Sequence, residues 1–272
     1  MKEKPYVKVA MYALNIIFAI IIIVPVIYCF NVSMMDLKEI YGGKFWPSHL
    51  TLENYTRAFQ LAPFFTFIKN SLIVSGVITF AQVVTGALAA YAFAMMEFKG
   101  KKVLFYIMLA TMMIPPQVMI VSRFVIMQKM GLYNTHMGII LMTMFSLYGV
   151  FLLRQAMMGI PDSLCESAKI DGAGHLRIFF QIVFPLIKPS IATLAVLKFV
   201  WTWNDYQTPL IFLSNRMLFT IQLGMKLFAS ESGSIYSLTM AAAVSATLPL
   251  ILLFLCGQRY IIEGIASGAV KG

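Results

Sequence analysis

The chain has 272 residues, 60% of them hydrophobic and only 12% charged. Soluble domains carry about 25% charged residues, so an ordinary soluble enzyme is excluded, and a mean hydropathy of +0.82 places much of the chain in lipid. The net charge of +10 does not point to nucleic acid, because the basic residues are spread over short segments between apolar runs and form no single patch. Three cysteines cannot build a disulfide framework. Cys29 and Cys256 lie in apolar runs and Cys165 in a polar segment, so reduced thiols are expected.

The charged start, Met1 to Lys8, has the form of a signal peptide, but the apolar run after it continues to about Phe30 without a small-residue cleavage site. It reads as a retained first helix. A hydrocarbon core about 30 Å thick takes about 20 apolar residues in helix. Six segments qualify: 11–32, 68–95, 103–121, 137–153, 189–213 and 238–257. A membrane β-barrel would need short alternating strands. The expectation is an all-α, polytopic membrane protein, a single domain over 1–272 with six transmembrane helices.

Two spans carry packing signals. Gly86, Ala90 and Ala94 recur every four residues in the second, a register that lets two backbones approach closely, within one subunit or between two. In the third, Pro115-Pro116 removes two backbone donors and must kink or break the helix. A broken helix can line a cavity; a structural kink is the alternative. For orientation, an inside N-terminus puts Lys2, Lys4, Lys8, Lys99, Lys101, Lys102, Arg154, Lys169, Arg177, Lys188, Arg259 and Lys271 on inner segments. Outer segments hold Lys38, Lys44, Arg57, Lys69, Arg123, Lys129, Arg216 and Lys226. The excess favours both termini inside.

No GxxxxGK[ST] phosphate loop, HExxH or GxSxG occurs, and His49, His136 and His175 are scattered. No catalytic or metal site is expected.

The inner segment 154–188 is too long for a simple turn. Ser163 with Glu166 three residues on reads as a capping box, and the helix it opens should stop near Asp171-Gly172, where glycine allows a reversal. A second short amphipathic helix, about 176–183, leads to Pro185. The result is a helix-turn-helix, with Cys165 as a native thiol on its first arm. Within it, Glu166-Ser-Ala168, Gly172 and Ile182-x-Phe-Pro185 resemble the EAA motif of ABC-importer permeases, E-A-A-x3-G-x9-I-x-L-P. Every spacing agrees, and the departures are Ser167 for alanine and Phe184 for leucine. The resemblance implies that 162–185 is a cytoplasmic coupling segment docking in a groove of a separate ATPase. Glu166, Ser167, Ala168, Asp171, Gly172, Ile182 and Pro185 would carry that contact. ATP would be bound by the ATPase, and no cofactor by this chain.

Further matches follow in order. Ala90-Tyr-Ala-Phe-Ala94 with Phe98-Lys-Gly-Lys101, Met113-Ile-Pro115 with Gln117-Val118, Gly131-Leu-Tyr-Asn-Thr135, Trp203-Asn-Asp-Tyr206, and the tail Gln258 to Gly264 with Gly268 to Gly272 are similar to carbohydrate-type, MalG-like permeases. That group implies a second MalF-like permease subunit, two ATPase subunits and an extracytoplasmic solute-binding protein. It also implies a place in the bacterial plasma (inner) membrane, in contact with lipid, with both termini cytoplasmic. The expected function is the permease subunit of an ATP-driven importer, for a sugar or oligosaccharide or for another solute. A secondary transporter is the alternative, and should show repeats and several mid-membrane charges. The outer segments 36–65 and 214–237, the latter with Glu231-Ser-Gly-Ser234, either meet the binding protein or only cover this subunit.

The fifth span carries the clearest intramembrane charges. Lys198, Trp201 and Asp205, three and four apart, should share one helix face, with Asn204 beside them. Lys198 and Asp205 would stand about 10 Å apart along the axis, too far for an ion pair. Charges at that depth face a bundle interior or wet cavity, so the stripe is expected to face the translocation pathway or the subunit interface. Hydrogen bonding to neighbouring helices is the structural alternative.

Overall fold

The computed structural model describes residues 5–231 and 235–269, with side chains for 6–231 and 235–260. Residues 232–234 of the second outer segment, the extreme termini and the end of the tail motif lie outside the described residues. Among the described residues all regular structure is helical. Three helices, Tyr6–Ser33, Phe64–Met95 and Tyr236–Tyr260, are long and apolar enough to cross a membrane. Three bent pairs pass the same test together, which gives three to six spans. The chain divides into two compact units, Met1–Phe65 with Gly224–Leu248, and Thr66–Leu223 with Pro249–Gly272.

In the first unit, α1 (Pro5–Ser33) is apolar on every side and exposed along almost its whole length. Its C-terminal carbonyls find partners in the segment that follows. Asn54, near the start of α3 (Glu53–Leu61), donates from Nδ2 to the carbonyls of Ser33 and Met35, both at 3.0 Å. These bonds satisfy groups that a helix end leaves open. Between them, α2 (Leu37–Tyr41) carries Glu39, whose Oε1 accepts the Ser48 N–H at 3.0 Å and lies 3.4 Å from Lys44 Nζ. Hydrogen bonds from Ser48, with smaller help from Lys44, hold the Glu39 carboxyl below the usual carboxylate range. Residues 36–63 are thus tied down, with Trp46, Leu50 and Leu52 left exposed.

The second unit is built around α4 (Phe64–Met95). The expected third span is α5 (Lys101–Thr111), then a turn at Pro115 and a 3-10 segment Pro116–Met119 leading into α6 (Ile120–Lys129), with a 90° change of direction. The prolines therefore break the helix, and its second half continues beyond the expected end at 121. The fourth is α7 (His136–Thr143) and α8 (Leu147–Met157), bent by 42°. One carbonyl freed at that break is taken by α4, where Gln82 Nε2 donates to Thr143 O; Thr85 Oγ1, which donates to Ala81 O at 2.7 Å, lies 3.2 Å from Met144 O. Ser146 Oγ caps α8 by accepting the Gly149 N–H at 2.9 Å. Backbone can break at membrane depth when such partners exist.

Gly86 brings α4 against α8, and a Cβ there would stand 3.5 Å from the Gly149 carbonyl carbon. The Gly86, Ala90, Ala94 register begins at a helix contact inside this one subunit, and Ala90 is fully buried.

After α9 (Asp162–Ile170) and α10 (His175–Ile178), the helix widens to a π turn over Phe179–Val183 ahead of Pro185, passes through α11 (Phe184–Leu186), and bends by 77° into α12 (Lys188–Trp203). Here an expectation fails: the fifth span is not one helix over 189–213. It stops at Trp203 and restarts as α13 (Gln207–Phe212) after the N-cap Tyr206, with Asp205 Oδ1, one residue earlier, accepting the Thr208 N–H at 3.0 Å. The Gly131–Thr135 motif holds the far end of α13. Asn134, at φ 58°, accepts from the Ser214 and Asn215 N–H groups at 2.9 Å and donates its own N–H to Phe212 O at 2.9 Å. The chain continues through α14 (Ile221–Glu231) to α15 (Tyr236–Ala269).

Candidate functional site

Two places collect the residues singled out from the sequence. The first is the segment 162–185. Its opening differs from expectation: Pro161, at φ −60°, occupies the cap position, α9 begins at Asp162, and no side chain caps it. Ser163 therefore lies inside the first turn, and the capping box with Glu166 does not form. The end is as the sequence suggests. Gly172 adopts φ +79°, its N–H bonds Lys169 O at 3.0 Å, and the Ala173 N–H bonds Ala168 O at 2.9 Å. These two bonds make a Schellman stop.

One face of this segment is locked into the core. Cys165, Ile178, Phe179 and Val183 are buried with Tyr91, Leu153 and Met157, and Ala168 and Ile182 pack partly against them. Tyr91 OH lies 3.3 Å from His175 Nδ1 and its ring packs edge-on to Phe179. One expectation changes here. Cys165 is only 7% exposed, so it is not an accessible thiol, and burial pushes that thiol up from its ordinary pKa. Ala168 is half-buried and packs partly against this core.

The other face is free. Glu166, Ser167, Asp171, Gly172 and Pro185 are exposed. Ile170 is 87% exposed and Leu176 69%. Neither apolar residue was singled out from sequence, because in a polar segment each reads as an ordinary helix-former. An apolar tip ringed by Glu166 and Asp171 on a rigid base has the composition of a docking surface.

The second place is a cavity of about 510 Å³ within the second unit, lined by Gln82, Gln117, Thr143, Lys198, Trp201 and Asp205 among others. Lys198, Trp201 and Asp205 do meet in one space, although Asp205 stands beyond the helix end and not on a shared helical face. Asn204 is not among the lining residues. Its Nδ2 donates to Val200 O at 2.9 Å, and its Oδ1 accepts from Gln222 Nε2 at 3.1 Å. Lys198 Nζ lies 4.5 Å from the Trp201 ring centre and 5.3 Å from that of Tyr148, with no carboxylate partner among the described residues. The aromatic faces hold the ammonium by cation–π attraction. Gln82 is 7% exposed, and its Oε1 has no partner among the described residues. Sequence reading did not single out Gln82, and it named Gln117 only within the Met113–Val118 match and not as a lining residue; the Pro115-Pro116 break was the available signal for Gln117. A smaller cavity of about 220 Å³ shares Pro116, Gln117 and Asp205, and adds Arg123 and Gln207.

Such a lining presents the Trp201 ring, amides, a carboxylate and the Lys198 ammonium to a polar solute. It contains no nucleophile–base arrangement, and among the described residues no cluster of His, Cys, Asp and Glu could hold a metal ion.

Residues 82–266 match the family model described as binding-protein-dependent transport system inner membrane component. The chain is 36% identical over 254 residues to the melibiose/raffinose/stachyose import permease protein MelC of Bacillus subtilis, with 90% of each chain covered. It is 35% identical to the arabinooligosaccharides transport system permease protein AraQ of Halalkalibacterium halodurans, covering 84% of this chain and 82% of that one. Its fold is similar to a chain of a bacterial ABC transporter involved in the import of the acidic polysaccharide alginate, with TM-score 0.83, 24% identity, and 96% and 98% of the two chains covered.

Proposed function

The chain belongs to the family of binding-protein-dependent transport system inner membrane components, and we propose that it is one of two permease subunits of an ATP-driven importer of sugars or oligosaccharides. Members of this family are transport subunits and not enzymes. The partner set is a second, MalF-like permease, two ATPase subunits that bind the ATP, and an extracytoplasmic solute-binding protein.

One observation carries the coupling role. The segment 162–185 fixes one face in the core through Cys165, Ile178, Phe179 and Val183, and leaves Ile170 and Leu176 exposed on the other. A contact at Ile170 therefore pushes on a unit that is continuous with α4 and α8. Glu166, Ser167, Asp171 and Gly172 border that tip and meet the ATPase groove, while Ala168, Ile182 and Pro185 hold its shape. The cavity with Lys198, Trp201 and Asp205 supports a polar pathway, since Trp201 suits the apolar face of a sugar ring and Gln82, Gln117 and Lys198 suit hydroxyls. Asn204 positions the end of α12. Trp46, Leu50 and Leu52 support contact with the binding protein.

The test is sugar-stimulated ATP hydrolysis by the reconstituted complex. Ile170→Glu, a change at an exposed position that leaves the core untouched, should abolish the stimulation by sugar-loaded binding protein while the chain still inserts. Undiminished stimulation in that variant would refute the coupling role.

A further inference from the structure

A third cavity, of about 730 Å³, lies where the end of α4, the start of α5 and the end of α8 meet. Its lining separates into a basic rim, Lys101, Lys102 and Arg154 with Glu97, and an aromatic floor that includes Phe93 and Phe105. The rim charges are not equivalent. Lys101 Nζ donates to Met96 O at 2.8 Å and to Glu97 Oε1 at 3.1 Å, so this pair neutralises itself. Arg154 is held by its Nε–H to Phe93 O at 3.1 Å, with the guanidinium 4.1 Å from the Phe105 ring centre. Its two terminal amino groups have no protein partner among the described residues, and neither has Lys102. Two cations therefore remain unmatched, one of them on a pre-oriented planar fork.

Paired N–H groups of a guanidinium match two oxygens of a phosphate. A zwitterionic head group would also bring an ammonium, for which the rim has no free carboxylate. Beside the rim, α5 presents Val103, Leu104 and Ile107 as an exposed apolar strip, which a free phosphate would leave uncovered and acyl chains would cover. Basic pockets between membrane helices on the side rich in Lys and Arg attract acidic head groups, and the Lys99–Lys102 connection is the densest basic stretch of the chain. We propose that this cavity binds the phosphate of an anionic glycerophospholipid, with Arg154 and Lys102 on the phosphate and the acyl chains along α5.

Native mass spectrometry of the full chain, purified in neutral detergent and offered phosphatidylglycerol and phosphatidylcholine in turn, tests this. The wild type should retain phosphatidylglycerol in preference to phosphatidylcholine. Lys102→Gln, an exposed change that leaves the fold intact, should weaken that retention about fivefold, and Arg154→Gln should weaken it further. Three results would overturn the proposal: equal retention of the two lipids, unchanged phosphatidylglycerol retention in Lys102→Gln, or displacement of the lipid by inorganic phosphate at equal concentration. Cross-linking of Lys102→Cys to the ATPase in the assembled transporter would overturn it too, because a protein would then cover the cavity.

Discussion

Gly172 has nothing within 4 Å of where a Cβ would stand, yet its φ is +79°. A side chain there costs backbone strain alone, about 1–2 kcal/mol, enough to shift the turn without unfolding the chain. Gly172→Val should therefore insert normally but lose most sugar-stimulated ATP hydrolysis, and Gly172→Asn, which tolerates left-handed backbone, should recover much of it. Equal activity in both would mean that the turn geometry does not matter for coupling. Glu39 gives a pH test. Its carboxyl is held low by Ser48, so its contribution to the folded segment is present above the ordinary carboxylate pKa, about 4.3. It is lost as pH falls through the lower folded value. Limited proteolysis around residues 37–48 should accelerate on acidification in the wild type, whereas Glu39→Gln should cleave fast at every pH. At this scale Gly172 was legible, because glycine is the residue that takes the left-handed backbone of such a stop without strain. Cys165 was not, because its inward direction depends on where α9 begins, and Pro161 moved that start ahead of the expected cap.

Between elements, the contact of α4 with α8 rests on Gly86 and Gly149. A methyl at Gly86 would make ordinary contact with the Gly149 backbone, and alanine gains about 1 kcal/mol of helix propensity over glycine. Gly86→Ala should thus melt at or above the wild-type temperature in detergent, while Gly86→Leu, which must force the helices apart, should melt several degrees lower. A Gly86→Leu variant as stable as wild type would contradict the packing described. The helix breaks show what hydropathy reveals and what it hides. Pro115-Pro116 announced the 90° turn because a missing donor is written in the residue type. The break at Ser146 was hidden, since it is a single capping residue inside an apolar run and the partner of the freed Thr143 carbonyl, Gln82, comes from another helix. The break at Asp205 was hidden because its bond to the Thr208 N–H is a local turn that hydropathy does not register.

At the scale of the molecule, the charge asymmetry predicts that the Lys99–Lys102 connection lies inside and the Trp46 region outside. In intact cells an impermeant thiol reagent should label Trp46→Cys and spare Lys102→Cys, and the reverse pattern would invert the topology. The membership in a transport family was legible in the EAA-like spacing from Glu166 to Pro185. The cavity was only half legible, because Lys198, Trp201 and Asp205 were visible as unusual residues whereas Gln82 and Gln117, from other elements, are brought to it by folding. The runner-up from sequence, a secondary transporter, differs from the proposed importer in its energy source. The most direct measurement is uptake of a labelled oligosaccharide into proteoliposomes holding the assembled complex. Accumulation should require both ATP on the ATPase side and the binding protein on the other, and should persist when ion gradients are collapsed; accumulation driven by an ion gradient without ATP would contradict it.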